Sequence, residues 1–325
     1  MESTVLTSQL HPAVDRALRL AAETALEPAA AAAASLEEVF PEGADWSGSQ
    51  LSRTGFPMEL AFVAGDPSLR WTAEVTGPDR PCDERLDVAL DLYRRLGGAT
   101  MPADLITFLR SAQTGGTLKY GAWIGGRHRP GQNTYKLYAE VPPEASALAA
   151  AWEREQVGAP PVLEVRGAQL CMVGHHADAG RLELYYEAEG VLCHEMATLM
   201  SRVGLENRAP EVLDLLQQAY ERTTRLELPC RKVGWSYSLS ARGEAPAFTF
   251  YTFANSLFGG DGKIRAALLR LCAARGWELP LYEAVSQPLA GRRGFVTCHG
   301  LFGIVIAAGA PAALSFGLVP PEEAA

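Results

Sequence analysis

The chain has 325 residues, of which 48% are hydrophobic and 21% are charged, so it is long enough to bury a large core and too apolar to be disordered. Its formal net charge of -9 and pI of about 5.3 argue against a nucleic-acid partner, because polyanion binding normally requires a basic surface. The six cysteines lie far apart without a C-x-x-C pair, which favours reduced thiols in a cytoplasmic protein.

The two ends of the chain give no sign of a membrane segment or a signal peptide. The N-terminus lacks a basic-then-apolar pattern, and residues 9–40 have the apolar spacing of a helical lead-in. The segment 300–321 is uncharged, but Gly309-Ala310-Pro311 interrupts it as a turn. We therefore expect a hairpin of buried strands there and no association with a membrane.

Between these ends, strand hairpins and helices alternate five times. Each predicted hairpin shows a two-residue apolar period on both sides of a turn signal. The predicted hairpins join 57–64 to 69–75, 117–126 to 134–141, 161–176 to 181–190, 232–241 to 245–254 and 300–308 to 311–319. Helices are predicted at 83–96, 144–156, 190–203, 209–223 and 261–275.

This internal repeat predicts a closed sheet. Ten antiparallel strands in an open sheet would leave two long exposed edges, and helices between the hairpins could cover only one face. The predicted fold class is therefore α+β: a ten-stranded antiparallel β-barrel of five repeated αββα units with helices outside. Residues 1–45 are expected to pack on the barrel as a helical lead-in, and 46–325 to form a single barrel domain.

Alternation also predicts which side chains face the inside. The first inward position of each second strand is taken to be Arg70, Lys136, Arg181, Thr249 and Leu314. Most of these positions are polar, and aromatic residues follow them along the same strand faces. The interior is therefore expected to be a solvent-filled binding chamber.

Lys136 and Tyr138 share one strand face in this pattern. A cation and a phenol two residues apart suit an anion that must also be shielded from water. Arg181 and Tyr185 repeat the arrangement on a later strand, and Tyr251 keeps only the aromatic ring.

The ordered series of motifs resembles the aromatic prenyltransferases of the ABBA, or PT-barrel, class, over roughly residues 50–320. The segment TGFPMEL is similar to the Gly-x-Pro-x-Glu segment of the indole (dimethylallyltryptophan synthase-like) members, whose glutamate hydrogen-bonds the acceptor N–H. The resemblance gives that role to Glu59. The segments LRWTAEV, TYKLYAEVP, RLELYY and PAFTFY resemble the strands that hold prenyl diphosphate. The resemblance thereby implies that the prenyl donor is bound by Arg70, Lys136, Tyr138, Arg181, Tyr185 and Tyr251.

The chain departs from this family's pattern at five inward-facing strand positions. Thr72, Glu183, Thr249 and Leu314 stand where the indole members have further basic or amide residues, and Phe316 replaces a tyrosine. Arg70, Lys136 and Arg181 are then the three cations left for the diphosphate. Glu183 is expected among them and carries the same sign of charge as the ligand. The looser pattern of bacterial phenol and hydroxybenzoate members is similar in this respect.

The resemblance implies transfer of a dimethylallyl or longer prenyl group from its diphosphate to an indole or phenol-type small molecule in secondary metabolism. No cofactor is expected, and metal independence is favoured because Ala61 stands near the aspartate of the magnesium-using members. The expected protein is a cytoplasmic monomer or homodimer with no nucleic-acid partner.

Two alternatives remain open: a barrel retooled for another reaction, with Glu59 and Glu183 as acid and base, and a non-catalytic barrel that binds an aromatic small molecule. The His175-His176 pair falls at a predicted hairpin turn and is expected in an exposed loop rather than in a metal site.

Overall fold

Ten antiparallel strands form a closed barrel in the computed structural model, which describes residues 9–97, 100–157, 166–176, 180–240 and 245–322. Going around the barrel, the order is β1-β10-β9-β8-β7-β6-β5-β4-β3-β2, so each hairpin neighbours the next one and the last strand pairs with the first. The strands are β1 (Met58–Val63), β2 (Asp66–Glu74), β3 (Ala122–Arg129), β4 (Gln132–Glu140), β5 (Gln169–His176), β6 (Arg181–Glu189), β7 (Lys232–Ser240), β8 (Ala247–Phe253), β9 (His299–Ala307) and β10 (Ala313–Leu318). The predicted fold class is confirmed.

Helices surround the barrel and connect its hairpins. They are α1 (Pro12–Thr24), α2 (Leu26–Val39), α3 (Arg85–Arg95), α4 (Ala103–Gln113), α5 (Ser146–Val157), α6 (Glu195–Ser201), α7 (Ala209–Tyr220), α8 (Ala254–Phe258), α9 (Asp261–Arg275) and α10 (Pro280–Val285). The sequence reasoning missed α4, α8 and α10, and the lead-in helix is broken at Ala25 into α1 and α2. None of the helices in the described ranges is both long and apolar enough to cross a membrane.

Large apolar side chains lie between the barrel and the helices. Trp71 of β2, Trp235 of β7, Phe248 of β8 and Phe302 of β9 are completely or almost completely buried there. They alternate along their strands with residues that face the inside and are mostly part-exposed. This alternation leaves a solvent-accessible chamber inside the barrel, as the two-residue period predicts.

The chamber has two chemically different ends. We call the end with the five hairpin connections the hairpin end. The opposite end, where the strands continue into the helical segments, is called the helix end.

The central residues of two predicted hairpin turns, at 177–179 and 242–244, lie outside the described residues, as does the segment 161–165 of the third predicted hairpin.

The prediction that Leu314 faces the inside is wrong. Leu314 is fully buried, and Phe316 packs edge-on against Tyr282 of α10 at a centroid distance of 4.7 Å, so both point toward the helices. The small residues of β10, including Ser315 and Gly317, face the chamber instead. Burial of the large apolar side chains decides the register, because shifting the assignment by one residue turns every side chain to the other face.

The prediction of an exposed loop at His175-His176 is also wrong, because β5 extends to His176. His175 faces outward and is buried, with its ring 6.3 Å from that of Tyr93. His176 faces the chamber. In the strand register it lies opposite Lys136 of β4 on one side and opposite Arg181 of β6 on the other.

Candidate active site

An ion pair lies in the middle of the chamber. It joins side chains of β4 and β6, the two strands on either side of β5. The Lys136 ammonium contacts the Glu183 carboxylate and donates a hydrogen bond of 2.9 Å to the Tyr185 hydroxyl. The Tyr185 hydroxyl donates to the same carboxylate. The Lys136 nitrogen also lies 4.7 Å from the centre of the Tyr138 ring, within cation–π distance. Lys136 is therefore surrounded by groups that stabilise its positive charge.

The pKa values of the pair shift in the directions that maintain both charges. Burial by itself lowers the pKa of Lys136, but the adjacent Glu183 carboxylate outweighs burial and the pKa lies above its usual value. Burial raises the pKa of Glu183, but Lys136 outweighs it and the pKa lies below the ordinary carboxyl value. The like charge that the sequence places among the cations is thus held as a carboxylate by Lys136.

Three tyrosines form a continuous wall of the chamber. The ring centroids of Tyr138 and Tyr185 are 6.0 Å apart, and those of Tyr185 and Tyr251 are 6.3 Å apart. Trp123 of β3 extends the wall by stacking on Tyr138 at 5.8 Å. The faces of electron-rich rings attract cations, so this wall can shield a carbocation from water.

Glycines on the neighbouring strands make room for the wall. A methyl group at Gly234 would lie 2.1 Å from the Tyr251 ring, and one at Gly174 would lie 3.3 Å from the Tyr185 ring. Gly234 pairs directly with Tyr251 across β7 and β8. Sequence reasoning missed these positions, although a glycine inside a strand pattern indicates a close approach by another group.

Glu59 lies toward the helix end of the chamber, at the start of β1. Its carboxylate occupies space left by two glycines: a methyl group at Gly317 would lie 2.4 Å from one carboxylate oxygen, and one at Gly300 would lie 2.6 Å from the other. Desolvation raises the pKa of Glu59 to about 8. Among the described residues it has no hydrogen-bond or ion-pair partner, so it is available to an incoming polar group.

Arginines gather at the hairpin end of the chamber. Arg70, Arg127 and Arg129 all contact the same oxygen, Oδ2 of Asp66, with the second and third at 2.6 and 3.0 Å. Sequence reasoning named only Arg70, because it ended the third strand at Gly126; β3 continues to Arg129, which adds two cations to the inward face. Arg181 also faces the chamber, where it donates to the Ser238 hydroxyl at 3.3 Å.

The seven residues named from the sequence thus all face one chamber, but Lys136 and Arg70 each hold a carboxylate. Glu59 lies toward the helix end, the tyrosines line the middle and the arginines lie toward the hairpin end. In the part of the chain that the structure describes, no three His, Cys, Asp or Glu side chains come together as metal ligands.

The closed barrel with outer helices is also found in solved prenyltransferases. Apo prenyltransferase PriB superposes with a TM-score of 0.74 at 18% sequence identity, covering 96% of this chain and 98% of that chain. The 6-dimethylallyltryptophan synthase from Micromonospora olivasterospora, solved with DMASPP and Trp, superposes with a TM-score of 0.72 at 19% identity over 95% of this chain and 96% of its own. The 5-dimethylallyltryptophan synthase from Streptomyces coelicolor gives 0.71 at 16%, over 94% and 95%.

Comparison by sequence adds nothing to this likeness, since the chain matches no protein-family profile and no curated protein. The chain has the PT-barrel fold of these prenyltransferases over nearly its whole length.

Proposed function

We propose that the protein is an aromatic prenyltransferase that moves a dimethylallyl or longer prenyl group from its diphosphate to an indole or phenol-type small molecule in secondary metabolism. The observation that carries the proposal is the order of groups along one chamber: cations, then the tyrosine wall, then Glu59 with its raised pKa. Neighbours with the same fold have been solved with matching ligands, including PriB with L-tryptophan and dimethylallyl thiolodiphosphate.

The proposed reaction has two steps. The bond between the allylic carbon and the diphosphate oxygen breaks, the electron pair leaves with the diphosphate, and the cations stabilise the departing anion. The faces of Tyr138, Tyr185 and Tyr251 shield the resulting allyl cation. The acceptor ring then attacks this cation, which forms the bond to the allylic carbon, and the proton at the attacked ring atom passes to water, which restores the aromaticity of the ring. Glu59 accepts a hydrogen bond from the acceptor N–H or O–H and orients the ring.

The protein is proposed to work in the cytoplasm, as a monomer or homodimer and without a metal ion. All six cysteines are unpaired, which agrees with a reducing compartment. The carboxylates of Asp66 and Glu183 bind cationic side chains and are therefore not free to hold a metal ion. In this proposal, the positive charge in the chamber comes from arginine and lysine side chains.

The test is turnover of dimethylallyl, geranyl and farnesyl diphosphates with a panel of indoles and phenols that includes L-tryptophan. Release of pyrophosphate together with an acceptor mass gain of one prenyl group supports the proposal. At about pH 9, above the pKa of about 8, Glu59 is a carboxylate, and Glu59→Gln should lower kcat/KM for the acceptor by roughly tenfold or more while the affinity for the diphosphate stays unchanged. Glu187→Gln is the matched control, because Glu187 lies at the helix end of β6, away from β1, and pairs with Lys232 of β7.

One observation favours a second candidate, the barrel retooled for another reaction. The pKa of Glu59 is raised and that of Glu183 is lowered, and two carboxyl groups with separated pKa values suit an acid and a base. Aromatic ligands that bind and are converted without pyrophosphate release would favour this candidate. Binding without any conversion would indicate the non-catalytic barrel.

A further inference from the structure

The arginine cluster at the hairpin end, formed by Arg70, Arg127 and Arg129, is a positively charged site of which the motifs account only for Arg70. Three guanidinium groups share one carboxylate, which leaves a net charge of +2 within a few ångströms. Gathering like charges costs free energy that Asp66 alone offsets only in part. Arginine is the residue best suited to bind phosphate oxygens, because its planar group donates two parallel hydrogen bonds.

Hydrogen bonds to Ser68 and Asp66 hold the arginine side chains of the cluster in place. The Ser68 hydroxyl accepts hydrogen bonds from Arg70 at 2.9 Å and from Arg127 at 3.2 Å, and the other oxygen of Asp66 accepts the Ser68 backbone N–H. Burial raises the pKa of Asp66, but the charge of Arg70 and the bonds from Ser68 outweigh it, so the pKa lies below its usual value. Asp66 is therefore a fixed anion around which the guanidinium groups are arranged in advance.

The guanidinium groups are also part-exposed. The side chains of Arg70, Arg127 and Arg129 are 26%, 32% and 41% exposed, whereas that of Asp66 is only 13% exposed. Arg127 pairs with Thr134, which precedes Lys136 by two residues on the same face of β4. Two residues along a strand span about 7 Å, so the cluster and Lys136 lie close enough to serve one diphosphate.

Lys136 alone is a weak anchor for that diphosphate, since Glu183 already neutralises it. We propose that Arg127 and Arg129 of β3, together with Arg70, bind the diphosphate of the prenyl donor, and that Asp66 organises them when the chamber is empty. The inference rests on the proposed function for the identity of the ligand. It adds two binding residues that lie outside the motif series.

The test is calorimetric titration of dimethylallyl S-thiolodiphosphate, and separately of inorganic pyrophosphate, at one fixed low salt concentration. Arg127→Gln and Arg129→Gln should each weaken the affinity for both ligands by roughly tenfold or more, because each removes a charge-assisted contact. Lys232→Gln is the matched control: it removes a part-exposed cation, paired with Glu187, from the helix end and should stay within about twofold.

Asp66→Asn provides a change in the opposite direction. It removes the like charge while keeping the shape of the side chain, so binding of both ligands should tighten several-fold, an effect that a purely structural role would not produce. Thermal unfolding of every variant checks the fold. If a glutamine variant melts early, Arg127→Lys or Arg129→Lys keeps the charge and should lose an intermediate amount of affinity, because the paired hydrogen bonds are lost.

Failure of the inference and failure of the proposed function look different. If the wild type binds the thiolodiphosphate and both glutamine variants bind it within twofold while Arg70→Gln loses affinity, the assignment to β3 is wrong and the proposed function stands. If the wild type binds pyrophosphate in an Arg127-dependent manner but neither binds nor turns over any prenyl diphosphate, the anion site stands and the proposed function is wrong. No binding of either ligand overturns both.

Discussion

Lys136 shows how strongly one neighbouring residue changes the use of another. A lysine and a tyrosine on one strand face predict an anion site, but Glu183 on β6 reaches the same ammonium group. The surrounding groups are Tyr138 and Tyr185, and His176 lies opposite Lys136 on the neighbouring strand β5. A diphosphate that binds here must compete with Glu183, so the charge of Lys136 is only partly available.

Replacing either member of this pair should change donor affinity in opposite directions. Lys136→Ala removes one cation and leaves Glu183 facing the ligand, so the affinity for the thiolodiphosphate should fall by roughly tenfold or more. Glu183→Gln frees the charge of Lys136 and should tighten binding by several-fold to about tenfold. Calorimetry measures both. If neither variant differs from the wild type, the donor does not reach Lys136.

Glu59 makes a prediction about stability that is independent of any ligand. Its pKa is about 8 in the folded protein against an ordinary value of 4.5, so the folded state holds a proton that the unfolded state releases. This stabilisation is fully present below pH 4.5 and is lost as the pH rises through 8. Because Glu59 is part-exposed, the contribution is expected to be about 1 to 3 kcal/mol.

Glu59→Gln should remove this pH dependence. The free energy of unfolding in urea, measured for both proteins between about pH 5 and about pH 8, should fall more steeply with pH for the wild type than for the variant. Parallel pH curves for the two proteins would show that Glu59 ionises normally.

At the scale of single elements, the sequence predicts most of this barrel because its strands obey a simple two-residue period. The period fails to fix the face of β10, where two leucines and an aromatic alternate with small residues and either set could be placed inward. The contact of Phe316 with Tyr282 of α10 decides the register, and α10 itself was missed. Likewise, Arg127 and Arg129 escaped notice because consecutive glycines at Gly125-Gly126 resemble the end of a strand.

The register of β10 can be tested by two neighbouring substitutions. Leu314→Ala empties space between the barrel and the helices and should lower the free energy of unfolding by about 2 to 5 kcal/mol. Ser315→Ala changes a small side chain inside the chamber and should cost less than about 1 kcal/mol. Urea unfolding measures both. A larger effect at Ser315 than at Leu314 would contradict the register.

At the scale of the whole molecule, closure makes every strand a central strand. β1 pairs with β2 on one side and with β10 on the other, and the backbone N–H of Ala64 just beyond β1 donates to the Leu314 carbonyl at 2.8 Å. In an open sheet, the amides on the free side of β1 and β10 would exchange rapidly with solvent.

Hydrogen exchange followed by mass spectrometry should therefore find the peptides covering β1 and β10 protected to a similar degree as those covering β6 and β7. The exposed segment that contains Phe295, which is 95% exposed, provides a rapidly exchanging internal reference. Rapid exchange in β1 and β10 alone would indicate that the barrel is open between them.

The charge balance of the chamber leads to a final prediction, on metal dependence. A diphosphate leaving group requires positive charge, which enzymes supply through metal ions or through basic side chains. Here Asp66 is surrounded by three arginines and Glu183 is paired with Lys136, so these carboxylates serve to hold cationic side chains. Turnover measured by pyrophosphate release should stay within about twofold when EDTA is added, and added magnesium should not raise it, because the ion would have to displace an arginine or Lys136 to reach a carboxylate. Loss of turnover in EDTA that magnesium restores would show that the arginines and Lys136 cannot supply the positive charge on their own.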